Sequence, residues 1–145
     1  MNMGQFLHTM LRVGDLQRSV DFYTKAFGMT ELRRRDVPDG KYTLAFVGYA
    51  TNAECQAEIE LTYNWDSGED YGDARYFGHL AYEVDDIYAT CERLMKLGIT
   101  INRPPRDGQM AFVRSPDLHS IELLQKGDAK PPAEPWTSMP NTGHW

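Results

Sequence analysis

Apolar positions recur along the chain with two periods that alternate in a fixed order. The first stretch alternates residue by residue, which predicts a strand with Leu7 and Val13 on an apolar face and His8 on the opposite face. The next apolar residues lie three or four positions apart, as on one face of a helix: Leu16, Val20, Tyr23 and Phe27. Asp15 is placed to cap this helix, and Gly28 is placed to end it.

The second half of the chain repeats this order of elements. Matching tripeptides occur at the same places in both halves: Ala45-Phe46-Val47 with Ala111-Phe112-Val113, and Ile59-Glu60-Leu61 with Ile121-Glu122-Leu123. A second helix is predicted from Ile87 onwards and ends near Gly98. Since the matches recur in one order, the chain contains two copies of one unit. Each unit is predicted to be βαβββ, so the fold class is α+β.

The predicted boundaries follow from the repeat and from a change in composition. Module one covers about 6–65, module two covers about 77–126, and together they form one domain, 1–126. The remaining residues, 127–145, are rich in proline and predict an extended arm. Trp136 and Trp145 indicate that part of this arm docks on another surface.

Charge and cysteine content exclude several classes of function. The 145 residues carry a net charge of −6, which makes the chain a poor general binder of polyanions such as nucleic acids. No apolar run approaches the length of a membrane span, and the first residues do not resemble an export signal. Cys55 and Cys91 form no CxxC motif, so we expect two reduced thiols in a cytoplasmic protein.

The repeat places one histidine on the first strand of each unit and one glutamate on the last: His8, Glu60, His79 and Glu122. Imidazole and carboxylate ligands suit borderline divalent metals, and two of each leave room for two further ligands in an octahedron. A single strand histidine is more often structural, and a strand glutamate usually faces solvent. Recurrence of both residue types at matching places favours a metal site. His119 and His144 lack this symmetry and are expected at the surface.

Several stretches of the chain resemble the glyoxalase I family of the vicinal-oxygen-chelate superfamily. The resemblance covers about residues 6–126 and lies in these stretches: His8-Thr9-Met10-Leu11-Arg12-Val13, Glu60-Leu61-Thr62-Tyr63-Asn64-Trp65, Phe77-Gly78-His79, Pro116-Asp117 and Ile121-Glu122. It implies paired βαβββ modules with curled sheets, and a homodimer with shared active sites. It also implies isomerisation of the hemithioacetal of methylglyoxal and glutathione to S-lactoylglutathione.

The resemblance also implies roles for individual residues. Metal ligands fall on the four repeated residues, with Glu122 as the main catalytic base and Glu60 serving the opposite face of the substrate. The metal is expected to be Ni²⁺ or Co²⁺, with Zn²⁺ possible. Glutathione contacts fall on Arg12, Asn64, Arg75 and, by a weaker match, Arg103. The family pattern pairs His8 and Glu60 of one chain with the second-unit ligands of a neighbouring chain, although pairing within one chain also fits the repeat.

Two departures from the family pattern and two alternative functions stay open. The loop from Pro104 to Met110 is short. The turn before the last strand is Ser115-Pro116-Asp117-Leu118, where relatives usually have glycine last, and Leu118 is expected to resist a positive φ and change the turn. An iron-dependent extradiol dioxygenase would use two histidines and one carboxylate, but a fourth ligand argues against it. A metal-free module that binds a small drug would need none of the four ligands.

Overall fold

The structure is a computed structural model that describes residues 6–49, 56–66, 70–72 and 77–145. The chain divides into two compact units, Met1–Tyr71 and Gly72–Trp145. The first unit contains β1 (His8–Arg12), α1 (Leu16–Phe27), β2 (Thr30–Val37), β3 (Tyr42–Gly48) and β4 (Glu58–Asn64). The second contains β5 (Leu80–Val84), α2 (Ile87–Lys96), β6 (Met110–Arg114) and β7 (Ser120–Gln125). The predicted α+β class is confirmed.

The first unit has the predicted βαβββ order. Its sheet runs β1-β4-β3-β2, with β1 parallel to β4 and the other pairs antiparallel. Asp15 caps α1, since its carboxylate accepts a hydrogen bond of 3.0 Å from the Arg18 N–H. Gly28 ends the helix in the left-handed conformation, at φ 66°. Both ends of this helix are therefore encoded where the sequence predicts them.

The second unit has one strand fewer than predicted within its described residues. Its sheet runs β5-β7-β6, again with the first strand parallel to the last. Where the first unit has β2, only an isolated bridge joins Arg103 to Phe112. Pro104 and Pro105 follow Arg103 and have no N–H to donate to a ladder, so the pairing ends there.

Alternation along the strands separates a buried face from a polar face in each unit. In the first unit, Leu61 is fully buried while Glu60 lies on the opposite face. In the second, Ile121 and Leu123 are fully buried and flank Glu122. Each such aliphatic side chain contributes about 1.5–3 kcal/mol, which holds the glutamates on the polar face. Leu7, expected on the buried face, is 63% exposed because it precedes the first strand at the end of the sheet.

The turn before β7 keeps a left-handed residue without a glycine. Leu118 adopts φ 69°, and its N–H donates to the Ser115 carbonyl at 2.9 Å. The expectation that leucine would change the turn was therefore wrong. The hydrogen bonds of the turn hold the backbone there, and the positive φ leaves steric strain at Leu118.

This strain is measurable by comparing two small residues at the same position. Leu118→Gly is expected to be more stable than Leu118→Ala by about 1 kcal/mol, because only glycine adopts a positive φ freely and both variants lose the same exposed side chain. Urea unfolding of both variants measures the difference. An alanine variant as stable as the glycine variant would show that the turn is unstrained.

Candidate active site

The first half of the candidate site lies on two neighbouring strands of the first-unit sheet. His8 begins β1 and Glu60 lies in the middle of β4, two parallel neighbours in the sheet. The His8 Nε2 lies 2.9 Å from a Glu60 carboxylate oxygen. The Glu60 side chain is 17% exposed, so its carboxylate is mostly enclosed but still reachable from one side.

The second half of the site repeats this pair in the second unit. His79 lies just before β5 and Glu122 lies on β7, the parallel neighbour of β5. The His79 Nε2 lies 3.8 Å from a Glu122 carboxylate oxygen, and the Glu122 side chain is 16% exposed. The two pairs therefore share residue types, strand positions and burial. We call them half-site one (His8, Glu60) and half-site two (His79, Glu122).

An aromatic ring supports the histidine in each half-site. Phe46 meets His8 edge to face with ring centroids 5.5 Å apart, and Phe112 meets His79 in the same way at 5.5 Å. Each phenylalanine also lies directly across from the glutamate of its half-site in the strand register. Sequence reasoning did not assign these rings a role, although both lie in the repeated Ala-Phe-Val tripeptide.

The donor atoms in each half-site fit a divalent metal ion, but each half-site supplies only two of them. One imidazole nitrogen and one carboxylate oxygen form each pair. Across the described ranges, no group of three or more His, Cys, Asp or Glu side chains converges. Two half-sites together would give an N₂O₂ set, which suits borderline divalent ions with room for further ligands.

Polar groups with unused hydrogen-bonding capacity lie on the same face as half-site one. Arg12 is exposed at the end of β1 and makes no side-chain hydrogen bond or ion pair with any described residue. The Asn64 Oδ1 and the Thr62 Oγ1 are buried without a partner among the described residues. Unsatisfied buried polar atoms are costly, so Asn64 and Thr62 have hydrogen-bonding capacity that a bound molecule could use. Thr62 was not singled out from the sequence.

Arg33 adds a positive charge that sequence reasoning also missed. It makes two hydrogen bonds to the Glu58 carboxylate, at 2.6 and 3.2 Å, and its guanidinium lies 3.9 Å over the Phe46 ring. Its hydrogen bonds to the Glu58 carboxylate raise the pKa of Arg33, so the side chain stays cationic. A run of three arginines at 33–35 was the available indication, but the run does not show which of them faces the site.

Arg103, which is also predicted to bind glutathione, lies in the second unit. The Arg103 guanidinium donates to the Met110 carbonyl and forms an ion pair with Asp107 at 3.2 Å. Arg75 lies outside the described residues. Among the described residues, His8, Glu60, Arg12 and Asn64 thus share the first unit, and His79, Glu122 and Arg103 share the second.

His119, expected at the surface, is half-buried. Its Nδ1 lies 3.1 Å from the Ser115 hydroxyl, and its ring meets Phe77 edge to face at 5.4 Å. Burial lowers the pKa of His119, which favours the neutral imidazole. His144 is exposed, as expected. Cys91 is a free, buried thiol, and its burial raises the pKa to about 12, while Cys55 lies outside the described residues.

Comparison with known proteins places the chain among close relatives. A sequence model of the Glyoxalase/Bleomycin resistance protein/Dioxygenase superfamily matches residues 5–138. Lactoylglutathione lyase of Neisseria meningitidis serogroup A is 47% identical over 127 residues, which cover 84% of this chain and 91% of the relative. The trypanothione-dependent glyoxalase I of Leishmania major superposes with a TM-score of 0.79 at 42% sequence identity. The match covers 85% of this chain and 87% of the Leishmania chain. Glyoxalase I of Zea mays superposes with a TM-score of 0.74 at 41% sequence identity. This match covers 86% of this chain and 45% of the Zea mays chain.

Proposed function

Because the chain belongs to the Glyoxalase/Bleomycin resistance protein/Dioxygenase superfamily, we propose that it is a lactoylglutathione lyase. It isomerises the hemithioacetal of methylglyoxal and glutathione to S-lactoylglutathione, with no net redox change. The observation that carries this proposal is the duplicated His–Glu pair, His8 with Glu60 and His79 with Glu122, in a chain 47% identical to a lactoylglutathione lyase.

The four paired residues, His8, Glu60, His79 and Glu122, would hold one divalent ion per site. Four nitrogen and oxygen ligands leave two open positions in an octahedron, which favours Ni²⁺ or Co²⁺ over Zn²⁺, an ion that prefers fewer ligands. A bound ion would supply Lewis-acid stabilisation for negative charge that develops on the substrate oxygens. The nearby rings of Phe46 and Phe112 hold the two histidines in place for this role.

Glu122 is the proposed general base. Its carboxylate takes a proton from the hemithioacetal carbon next to the carbonyl and returns that proton to the adjacent carbon. Its limited exposure keeps bulk water away from the proton in transit. Glu60 occupies the equivalent place in half-site one and serves the opposite face of the substrate.

Glutathione is anionic, and a chain with a net charge of −6 must provide local positive charge to bind it. Arg12 and Asn64 would bind the γ-glutamyl end. This is supported because, among the described residues, neither the Arg12 guanidinium nor the Asn64 Oδ1 has a hydrogen-bond partner. Arg75 joins this group in the proposal. Arg103 would bind the glycyl carboxylate once it exchanges one of its present contacts within the loop.

Each active site is proposed to lie between two copies of the chain in a homodimer. His8 and Glu60 would come from one chain and His79 and Glu122 from its neighbour, related by a twofold axis. Each half-site holds only two ligands, so a complete site needs two half-sites, and the resemblance to the glyoxalase I family favours taking them from neighbouring chains. We place the protein in the cytoplasm, because its thiol substrate requires a reducing compartment. No helix in the described part of the chain is long and apolar enough to cross a membrane.

Thioester formation from methylglyoxal and glutathione tests the proposed activity. Metal-stripped protein is expected to be inactive, and Ni²⁺ or Co²⁺ is expected to restore at least about tenfold more activity than Zn²⁺. Trypanothione should be assayed beside glutathione, since one similar structure is trypanothione-dependent. Full activity with Zn²⁺ and none with Ni²⁺ would reverse the metal assignment. Oxygen consumption on a catechol with Fe²⁺, without thioester formation, would identify a dioxygenase instead.

Arg12→Ala is expected to raise KM by roughly 10- to 100-fold with kcat changed much less. The γ-glutamyl end is remote from the reacting carbons, and the lost charge-assisted hydrogen bond contributes about 1.5–3 kcal/mol. Steady-state kinetics of the metal-loaded variant measures both constants. Arg18→Ala removes the same charge from the exposed face of α1 and serves as the control. An unchanged KM with loss of metal would make Arg12 a structural residue.

A further inference from the structure

The arm, residues 127–145, is firmly held on the second unit. Trp136 is 5% exposed. Its indole stacks on the Tyr88 ring, with an interplanar angle of 2° and a centroid distance of 5.9 Å. The Tyr88 hydroxyl donates to the Pro131 carbonyl at 2.8 Å, and Lys130 forms an ion pair of 2.9 Å with Asp86. The docking expected from the tryptophans is therefore confirmed for Trp136.

A second set of contacts holds the distal part of the arm against the loop before β6. Thr142 and Asn102 exchange hydrogen bonds of 2.9 and 3.0 Å. Arg106 donates to the Met139 carbonyl at 2.9 Å and to the Asn141 side chain at 2.8 Å. These contacts use side chains and backbone together, so the arm follows one defined path.

The root of the arm, which is the segment around Lys130, requires a glycine in the loop before β6. The Lys130 N–H donates to the Gly108 carbonyl at 3.0 Å. A Cβ on Gly108 would lie 2.0 Å from the Lys130 carbonyl oxygen, and Gly108 has a φ of 70°. Both facts exclude other residues at this position while the arm is docked.

The arm ends its path beside half-site two. Trp145 stacks on Phe112 with centroids 5.8 Å apart and ring planes at 24°, and Phe112 meets His79 at 5.5 Å. The Trp145 and His79 rings can therefore lie no further apart than the sum of these distances, 11.3 Å. Trp145 as a whole residue is 38% exposed, so the stacking on Phe112 does not bury it.

The corresponding position in the first unit has different chemistry. There the guanidinium of Arg33 covers the ring of Phe46, which meets His8. In the second unit the indole of Trp145 covers Phe112, which meets His79. The ring beside the histidine is thus flanked by a cation in one half-site and by an apolar surface in the other. Because Arg33 is paired with Glu58, the clearer difference is the indole, and a substrate with an apolar substituent on its carbonyl part matches it.

We propose that Trp145 is a specificity-determining residue: the docked arm holds its indole as an apolar wall beside half-site two, where it contacts the substituent of the 2-oxoaldehyde. This inference rests on the proposed lactoylglutathione lyase activity. It predicts a preference for flat, apolar substituents, because an aromatic group stacks on an indole far better than a methyl group does. Hemithioacetals of phenylglyoxal are the corresponding substrates.

The test compares hemithioacetals of phenylglyoxal and methylglyoxal in the metal-loaded enzyme. Trp145→Ala is expected to lower the ratio of their kcat/KM values, phenylglyoxal over methylglyoxal, by about tenfold, and Trp145→Phe is expected to retain most of the ratio. Gly108→Ala, which displaces the root of the arm, should lower the ratio as Trp145→Ala does. Binding of S-benzylglutathione relative to S-methylglutathione should change in parallel and does not depend on turnover.

The outcomes separate this inference from the function on which it rests. An active Trp145→Ala variant with the wild-type substrate ratio and the wild-type preference for S-benzylglutathione would overturn the role of Trp145 alone. An equal loss on both substrates in a variant with the wild-type melting temperature would also overturn it. Wild-type protein that forms no thioester from either aldehyde would overturn the proposed function and the inference with it.

Discussion

Glu122→Gln is expected to lower kcat by at least about a hundredfold while the protein still binds its metal ion. The amide keeps the shape of the side chain and offers one oxygen as a ligand, but it does not accept the proton that the reaction must move. The 3.8 Å separation from His79 allows the amide to occupy the same space without a clash. Steady-state assays of thioester formation measure kcat, and metal analysis of the same sample measures the metal content per chain.

A matched change on the helix of the same unit separates chemistry from folding. Glu92→Gln makes the same substitution at an exposed position on α2, outside both half-sites, and is expected to leave kcat within about twofold of wild type. Near-normal turnover by metal-loaded Glu122→Gln would remove Glu122 from the role of base. Loss of metal from Glu122→Gln, restored by excess Ni²⁺ together with full activity, would make it a ligand only.

Local rules explain why much of the fold could be predicted. Asp15 and Gly28 act through hydrogen bonds and backbone freedom within a few residues, so sequence spacing alone locates the ends of α1. The strand alternation that places Glu60 opposite Leu61 has a fixed period of two. Because the second unit repeats the sequence pattern of the first, the same alternation predicts that Glu122 lies on the face opposite its buried neighbours.

Contacts between residues distant in sequence account for what could not be predicted. The ring of Phe46 meets His8 only because β3 and β4 pair in one register, which no local pattern specifies. The stacking of Trp145 on Phe112 depends on the whole path of the arm. At Leu118 a local preference failed: the hydrogen bonds of the turn hold leucine at a positive φ, which this residue type disfavours.

Surface and interior were also misjudged where a polar residue has a partner. The sequence places His119 in a turn next to Asp117, which favours exposure. In the structure, Ser115 and Phe77 contact the half-buried imidazole, and its burial outweighs the neighbouring carboxylate in lowering its pKa. Polar residues at turns therefore need a three-dimensional structure before their exposure is assigned.

Two inactive variants are expected to restore activity to each other if each active site combines half-sites from two chains. His8→Ala damages half-site one, and Glu122→Gln damages half-site two. In a mixed dimer with shared sites, both lesions fall into one site and the other site receives two intact half-sites. Random pairing makes half of the dimers mixed, and each mixed dimer has one good site of two. About a quarter of wild-type activity should therefore return.

The measurement that tests the shared site most directly is thioester formation by the two variants, unfolded and refolded together with Ni²⁺. Each variant refolded alone is the control, and differently tagged chains captured in sequence show that mixed dimers have formed. The arrangement of His8 and Glu60 with the neighbour's second-unit ligands predicts recovery of about a quarter of wild-type activity. No recovery in a sample that contains mixed dimers would contradict it, because sites built within single chains would each keep one lesion.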